Sequence, residues 1–570
     1  MKIGASMKIV VRADASLTMG SGHIMRCLTL ADRLKQQGHD ITFICRAHDG
    51  HLADLIGQKG FAVQLLAKGE TADFIKQHAH SEWLGASESD DFAECKPILQ
   101  ALKPDWLIID HYAIGEKWEQ QAKRLLPNLK ILAIDDLADR THDCEILLDQ
   151  NFGRKNGDYQ PLVPSDCQRL LGTRYTLLRD EFASWRTMSL NRRKSVQPPN
   201  NILVNLGGVD NDNITLKILQ SLNTFVQHST QSFNVTVVMG KTAPHIKSVQ
   251  RFAKHASFAC AVLVNVTNMA ELMANADLAI GAAGSTTWER CCLGLPMVLI
   301  VLADNQQVIA KALADKNVVK VVTDMAALDE QLPRLLSELA DNYKKFSRQS
   351  AKLVDGQGAK RVAHWIKFAQ KFPHCQVRQA TQADSQMIWQ WRNHVDVRRW
   401  MFGQDEIALA DHEKWYGKQL DHANVHLLIF ETDGSKGGEP MGLVNVTQMT
   451  VDKYQRLQLA NTHTPNPNSS NPNASSPNEK TASWGFYLSP NSAKGQGLGF
   501  ALGVLAIAQI FNTTDIGKIT AQVLAYNTAS LALHRKLGFS ETGMLKQHFG
   551  VGEKVYDVVE FELKSQDFLF

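Results

Sequence analysis

The chain has 570 residues, 44% of them hydrophobic and 21% charged, with a formal net charge of +3. That length exceeds what one core supports and predicts several units. The near-balanced charge argues against a nucleic-acid binder, whose surface must neutralise many phosphates. The nine cysteines show no CxxC spacing, so neither a zinc knuckle nor a disulfide framework is expected; the composition predicts a cytoplasmic protein with reduced thiols and no metal.

Residues 7–11 form a short apolar run, followed at once by Arg12 and Asp14, which reads as a first strand rather than an export signal. The most hydrophobic windows, 294–303 and 500–511, are too short to span a bilayer, and no stable membrane insertion is expected. Further strands are predicted at 40–46, at 106–110 ending in Asp110, His111 and Tyr112, and at 131–136, which again ends in acids. Helical patterns lie between them, the alternation of a largely parallel sheet covered by helices. A second cycle starts at residue 201, with strands at 201–206, 235–239, 278–280 and 297–301. The expectation is α/β, two Rossmann-like lobes at 7–155 and 175–335, with a ligand between them. Residues 336–374 read as two helical segments that cap and link. A mixed α/β unit follows at 376–565, carrying an insertion at 461–480 too polar to bury its backbone.

After the first strand comes GSGHIMR. Gly20 and Gly22 permit a tight turn, His23 opens a helix, and Arg26 lies three residues on. Free amides there can face an anion, and a histidine there suits proton transfer near neutral pH. The plainer reading is a turn with a capping histidine. The second lobe offers Asn205 with Gly207 and Gly208, and then GAAGSTTWE. In that stretch Gly284 turns the chain, Ser285, Thr286 and Thr287 can cap a helix, and Glu289 can accept two hydrogen bonds from a ribose. Asn305 and Gln306 stand beyond the next strand. No GxxxxGK[ST] loop is present, which excludes a P-loop ATPase reading.

Together GSGHIMR, NLGG, GAAGSTTWE and LADNQ resemble the UDP-sugar hydrolases of pseudaminic-acid biosynthesis, relatives of the GT-B glycosyltransferases, over about residues 7–340. The resemblance implies that the carboxy lobe binds UDP, with Gly284, Ser285 and Thr286 near the diphosphate and Glu289 on the ribose. It places Gly22 and His23 at the sugar. It implies hydrolysis of UDP-2,4-diacetamido-2,4,6-trideoxy-β-L-altrose by water, with inversion. His23 is the residue expected to activate or orient that water, and with no metal-ligand cluster visible in the sequence the reaction is expected to be metal-independent. Asp14 is expected to fix either the sugar or the histidine.

In the last third, strand 483–488 runs into SPNSAKGQGLG, where Gly495, Gly497 and Gly499 open an apolar helix and their amides can surround a pyrophosphate. A strand at 518–523 and the stretch YNTASLALHRKLGF follow. No matching ribose acid follows, so a Rossmann reading is weaker. The pattern resembles the GNAT acetyltransferases, with Lys494 standing where Gln or Arg is usual. The resemblance implies acetyl-CoA as co-substrate, entering a gap near Phe486 and Leu488, with Asn527 in the terminal motif. It implies a general acid at His534, with Tyr526 as the other candidate. Trp391, Asn393, His412 and Trp415 resemble the acceptor region of the 4-amino-sugar acetyltransferase of the same pathway; aromatic faces beside Asn and His suit a sugar and its base.

The expected partners are therefore a UDP-activated amino sugar, acetyl-CoA and other enzymes of that pathway. Two other readings compete: a glycosyltransferase fused to an acetyltransferase, and a UDP-sugar sensor fused to a protein acetyltransferase. UDP release without an acceptor separates hydrolysis from both.

Overall fold

The computed structural model describes residues 6–69, 80–196, 198–208, 210–228, 232–302, 304–432, 438–449, 480–551 and 554–570. The chain divides into two compact units, Met1–Ala363 and His364–Phe570.

The first unit contains two parallel sheets. Strands β1 (Lys8–Ala13), β2 (Asp40–Arg46), β3 (Ala62–Leu66), β4 (Trp106–Asp110), β5 (Lys130–Ile134), β6 (Ile146–Asp149) and β7 (Gln168–Leu171) form the first, in the order β3-β2-β1-β4-β5-β6-β7. Its central strands are apolar runs such as Trp106–Asp110, buried at every position, as expected of strands covered on both faces. The chain leaves β1 for β2 on one side and reaches β4 on the other, so their following loops part at this switch point. Such crevices are where open parallel sheets bind ligands.

The second sheet repeats the plan. Strands β8 (Asn201–Asn205), β9 (Asn234–Met239), β10 (Ala259–Val264), β11 (Leu278–Ala282), β12 (Met297–Ile300) and β13 (Lys320–Val322) take the order β10-β9-β8-β11-β12-β13. Here the switch lies between β8 and β11, where Asn205 pairs with Gly281. The two glycine turns therefore leave neighbouring strand ends. Residues 336–374, expected to hold two helical segments, contain the end of Leu328–Asp341 and the helices Tyr343–Leu353 and Gly358–Lys371. The division between units falls inside the last of these.

The second unit is a mixed sheet: β14 (Gln376–Gln379), β15 (Val425–Thr432), β16 (Glu439–Gln448), β17 (Lys480–Leu488), β18 (Ile516–Leu524), β19 (Ser540–Val551) and β20 (Lys554–Lys564), ordered β14-β15-β16-β17-β18-β20-β19. Only β17 and β18 run parallel, joined through the apolar helix Leu498–Thr513. Their ladder pairs Lys480 with Ile516 through Ser483 with Thr520, and then stops. Both strands continue beyond it, to Leu488 and Leu524. Of the insertion expected at 461–480, residues 461–479 lie outside the described residues, and Lys480 opens β17. The architecture is thus two Rossmann-like parallel-sheet lobes followed by a mixed-sheet α/β domain, as the sequence pattern predicts.

Candidate active sites

His23 lies in the first turn of the helix Gly22–Gln36, at the switch point of the first sheet. Its Nδ1 is 2.6 Å from Oδ1 of Asp110, the last residue of β4. Arg26 donates to both oxygens of that carboxylate at 2.7 Å and reaches Asp136 Oδ2 at 2.7 Å. Asp136 also accepts from the Tyr112 hydroxyl at 2.6 Å and from Asn151 Nδ2 at 2.7 Å. Burial alone would push the Asp110 carboxyl up, but Arg26 and His23 beside it hold it well below the usual carboxylate range. Asp110 is therefore ionised at neutral pH and can only accept a hydrogen bond, so Nδ1 of His23 carries the N–H and Nε2 is the ring nitrogen turned toward other partners. The Tyr112 ring stands edge-on to His23 with centroids 4.7 Å apart, and Trp83 stacks on Tyr112 at 5.7 Å.

Asp14 does not hold the histidine. It is fully buried, and its Oδ1 accepts from Arg12 Nη1 and from the Arg46 backbone N–H, both at 2.7 Å. Its Oδ2 faces His111 and His48, with Nε2 atoms 3.5 Å and 3.7 Å away. Asp110 takes the place expected for it because β4, not the residue after β1, ends beside the His23 ring. Burial pushes His111 down to about 3, so this ring is neutral. Gly22 is exposed, with open space around its Cα.

In the second lobe, Gly207 and Gly208 are exposed at the end of β8, and Gly207 has φ +99°, a conformation suited to glycine. The helix after them, Ile214–Gln227, is already capped: Asp210 accepts from the backbone N–H groups of Ile214 and Thr215 at 2.9 Å and 3.0 Å. An external anion is thus left with the glycine turn rather than the helix end. Asn205 is buried, its Nδ2 donating to the Val238 carbonyl at 3.1 Å.

The turn after β11 leads into the short helix Thr286–Cys292. Ser285 occupies the N-cap position, but its side chain makes no capping hydrogen bond, contrary to the sequence expectation. The hydroxyl instead stands on an exposed residue beside Gly284, which has nothing crowding its Cα. Thr286 Oγ1 accepts from Arg290 at 3.1 Å, a residue that the sequence reading passed over. Glu289, expected on the ribose, is 17% exposed and lies 3.6 Å from Arg179. Burial pushes its carboxyl up, with Arg179 opposing. Gln306 turns back to accept from the Leu302 N–H at 3.1 Å, while the Asn305 side chain lies outside the described residues.

In the second unit, a cavity of about 1350 Å³ opens where β17 and β18 part. Phe486, Leu488, Lys494, Gly495, Gly497, Gly499, Asn527 and His534 all line it. Gly497 has φ +81° and begins the helix Leu498–Thr513. Asn527 caps the helix Thr528–Leu537, accepting from the Ser530 N–H at 3.1 Å.

His534 is not built to protonate a leaving group. Its Nδ1 donates to the Ser530 carbonyl at 2.8 Å, and its Nε2 accepts from the Trp484 indole N–H at 3.2 Å. Both nitrogens are engaged, and burial lowers the pKa, with the Ser530 hydrogen bond opposing. Tyr526 does not line the cavity. Its hydroxyl donates to the Arg399 carbonyl and accepts from Gln404 Nε2, both at 3.1 Å. The expected acceptor residues are also absent from the lining. Asn393 spends both ends of its amide on the Ile407 backbone, at 2.8 Å each. His412 donates to the Ser385 carbonyl at 2.9 Å, Trp391 is half-buried and Trp415 is 41% exposed. This stretch contributes Arg399, Trp400, Met401 and Phe402 to the wall instead. The exposed aromatics of RRWMF, in mid-chain, were the available signal.

Among the described residues no group of three or more His, Cys, Asp or Glu could hold a metal ion, and no helix is long and apolar enough to cross a membrane.

Residues 202–365 match the glycosyltransferase family 28 C-terminal domain, and residues 375–540 match the acetyltransferase (GNAT) domain. The UDP-2,4-diacetamido-2,4,6-trideoxy-beta-L-altropyranose hydrolase of Campylobacter jejuni is 30% identical over 311 residues, which cover 54% of this chain and 97% of that protein. The chain belongs to this hydrolase family. It carries a GNAT domain in addition. An uncharacterized protein of Methanocaldococcus jannaschii is 23% identical over 571 residues, covering 97% of this hydrolase-family chain and 100% of its own. The crystal structure of MurG from Acinetobacter baumannii is 18% identical, with a TM-score of 0.47, and covers 63% of this chain and 99% of that one.

Proposed function

We propose that the first unit hydrolyses UDP-2,4-diacetamido-2,4,6-trideoxy-β-L-altrose to the free sugar and UDP. The second unit transfers acetyl from acetyl-CoA to the 4-amino group of its UDP-sugar precursor, so that the chain performs two successive steps of pseudaminic-acid synthesis in the cytoplasm. The observation that carries this reading is the His23–Asp110 pair at 2.6 Å, in a chain whose first part is 30% identical to a hydrolase of that name.

In this mechanism His23 Nε2 takes a proton from water as its oxygen bonds to the anomeric carbon and the bond to the diphosphate oxygen breaks. Configuration inverts, and UDP leaves with the bonding electron pair. Asp110 stabilises the imidazolium that forms, as a buried carboxylate does in other histidine-based sites. The turns at 207–208 and 281–287 offer amides and hydroxyls to the departing charge. In the second unit the open edge of β17 receives the thioester arm, and the 495–499 turn receives the pyrophosphate. The neutral acceptor amine attacks the thioester carbon, the C–S bond breaks with its electron pair on sulfur, and the proton lost from nitrogen ends on the thiolate of coenzyme A. Joining the two active sites raises the local concentration of the intermediate.

The match to the glycosyltransferase family 28 domain supports a second reading, sugar transfer to an acceptor. Mass analysis after adding the UDP-4-amino sugar, with and without acetyl-CoA, decides between them. Acetylation followed by UDP release without any acceptor supports the proposal. Release that requires an acceptor favours transfer, and no turnover overturns both. A His23→Asn variant is expected to acetylate and to release no UDP.

A further inference from the structure

Arg290 is wholly buried on the helix Thr286–Cys292, yet it forms no ion pair among the described residues. Its Nη2 donates to the Asn205 carbonyl at 3.0 Å and to Thr286 Oγ1 at 3.1 Å, and its Nη1 donates to the Ala282 carbonyl at 3.3 Å. Every one of these partners is neutral. The carboxylate next to it in sequence, Glu289, lies 3.6 Å from Arg179. Three further polar atoms around the same strand ends, Arg290 Nε, Asn205 Oδ1 and Thr287 Oγ1, are buried without a hydrogen-bond partner. The backbone makes room for the guanidinium: a Cβ on Gly281 would stand 2.0 Å from Arg290 Nη2. Burial lowers the guanidinium to about 10, so it remains charged at neutral pH.

A buried cation with no direct ion pair is costly, and neutral carbonyls together with the longer-range attraction of Glu289 compensate it only in part. Arg290 joins the end of β8, which leads to Gly207 and Gly208, to the end of β11 and the start of the 281–287 turn. We propose that Arg290 is the positioning residue of the nucleotide site, tying the two turns into one cradle and leaving its charge beneath them for a bound diphosphate. This rests on the reading of the first unit as a UDP-sugar site. The fixed charge favours the diphosphate over the nucleoside, and it favours the products further, because bond cleavage adds negative charge to the leaving UDP.

The test is calorimetric titration of the full chain with UDP and with uridine, which shares the base and ribose but carries no phosphate. Arg290→Gln keeps an amide donor and loses the charge. It is expected to weaken UDP binding by about tenfold or more and to leave uridine binding unchanged. Arg290→Lys, which keeps the charge, is expected to retain most of the preference for UDP over uridine. Equal weakening of both ligands in Arg290→Gln, or no change in UDP binding, overturns the proposal, although UDP binding by the unaltered protein still stands. Should Arg290→Gln fail to fold, loss of the UDP preference in Arg290→Lys overturns it instead and its retention supports it. An unaltered protein that binds no UDP overturns the underlying reading of the unit.

Discussion

Nδ1 of His23 lies 2.6 Å from Oδ1 of Asp110, so the carboxylate that closes β4 decides which imidazole nitrogen carries the proton. Asp110→Asn keeps the shape and removes the charge. An amide can present its N–H to Nδ1 and so favour the wrong tautomer. UDP release is expected to fall by about 100-fold or more in kcat, with KM little changed and acetyl transfer intact. Steady-state kinetics of both reactions on the one variant check this; a loss of only a few-fold removes Asp110 from the proton path.

His534 gives the opposite expectation. Both of its ring nitrogens are engaged, by Ser530 and Trp484, so it has no proton to lend. His534→Asn is expected to lower acetyl transfer by less than about tenfold, below the range of a lost general acid. The pH profile of kcat should keep its shape. Disappearance of one limb of that profile restores the acid role.

Gly281 has no room for a side chain: an added Cβ would meet Arg290 Nη2 at 2.0 Å and the Asn205 carbonyl oxygen at 2.6 Å. Gly281→Ala is expected to destabilise the first unit by about 1–3 kcal/mol, the usual cost of overpacking. Denaturant unfolding compared with Gly284→Ala, where nothing lies within 4 Å of an added Cβ, checks it. Equal stability of the two variants contradicts the packing around Arg290.

Acid is expected to destabilise the first unit through His111. Its folded-state pKa is about 3, against about 6.5 in an unfolded chain. The unfolded state therefore takes up the proton first. This contribution is fully present above about pH 6.5 and is lost as pH falls toward 3. Asp14 and Asp110, both held below the usual carboxylate range, act with the same sign at lower pH. The melting temperature of the unit should decline on acidification from pH 6.5, and His111→Gln should flatten the part of that decline above about pH 4. An unchanged slope in the variant assigns the sensitivity elsewhere.

Much of this architecture is written into local pattern. Fully buried strands such as Trp106–Asp110 and Met297–Ile300 carry continuous apolar runs because both faces are covered, and the glycine turns announce themselves because only glycine takes their backbone conformation freely. The edge strands β3 and β10 differ from these: Gln64 interrupts β3, and β10, although apolar throughout, is exposed or half-exposed at every position. The polar ends of the strands at 106–110 and 131–136 were visible too, but a strand end carries no record of its neighbour.

The amino-acid sequence by itself determined the lobes, the mixed sheet, the turns and the place of His23 in the first turn of its helix. Only the tertiary structure decided the pairings: Asp110 rather than Asp14 on His23, Arg290 on the Asn205 carbonyl, and the engaged nitrogens of His534. Periodicity and turn chemistry are properties of adjacent residues and survive in a linear reading. Hydrogen bonds between residues 23 and 110, or 205 and 290, depend on strand order in a sheet, which no local pattern encodes. Asn393 and His412 show the same limit from the other side, since a polar residue expected to meet a substrate can equally meet a backbone, and burial and neighbours alone tell the two apart.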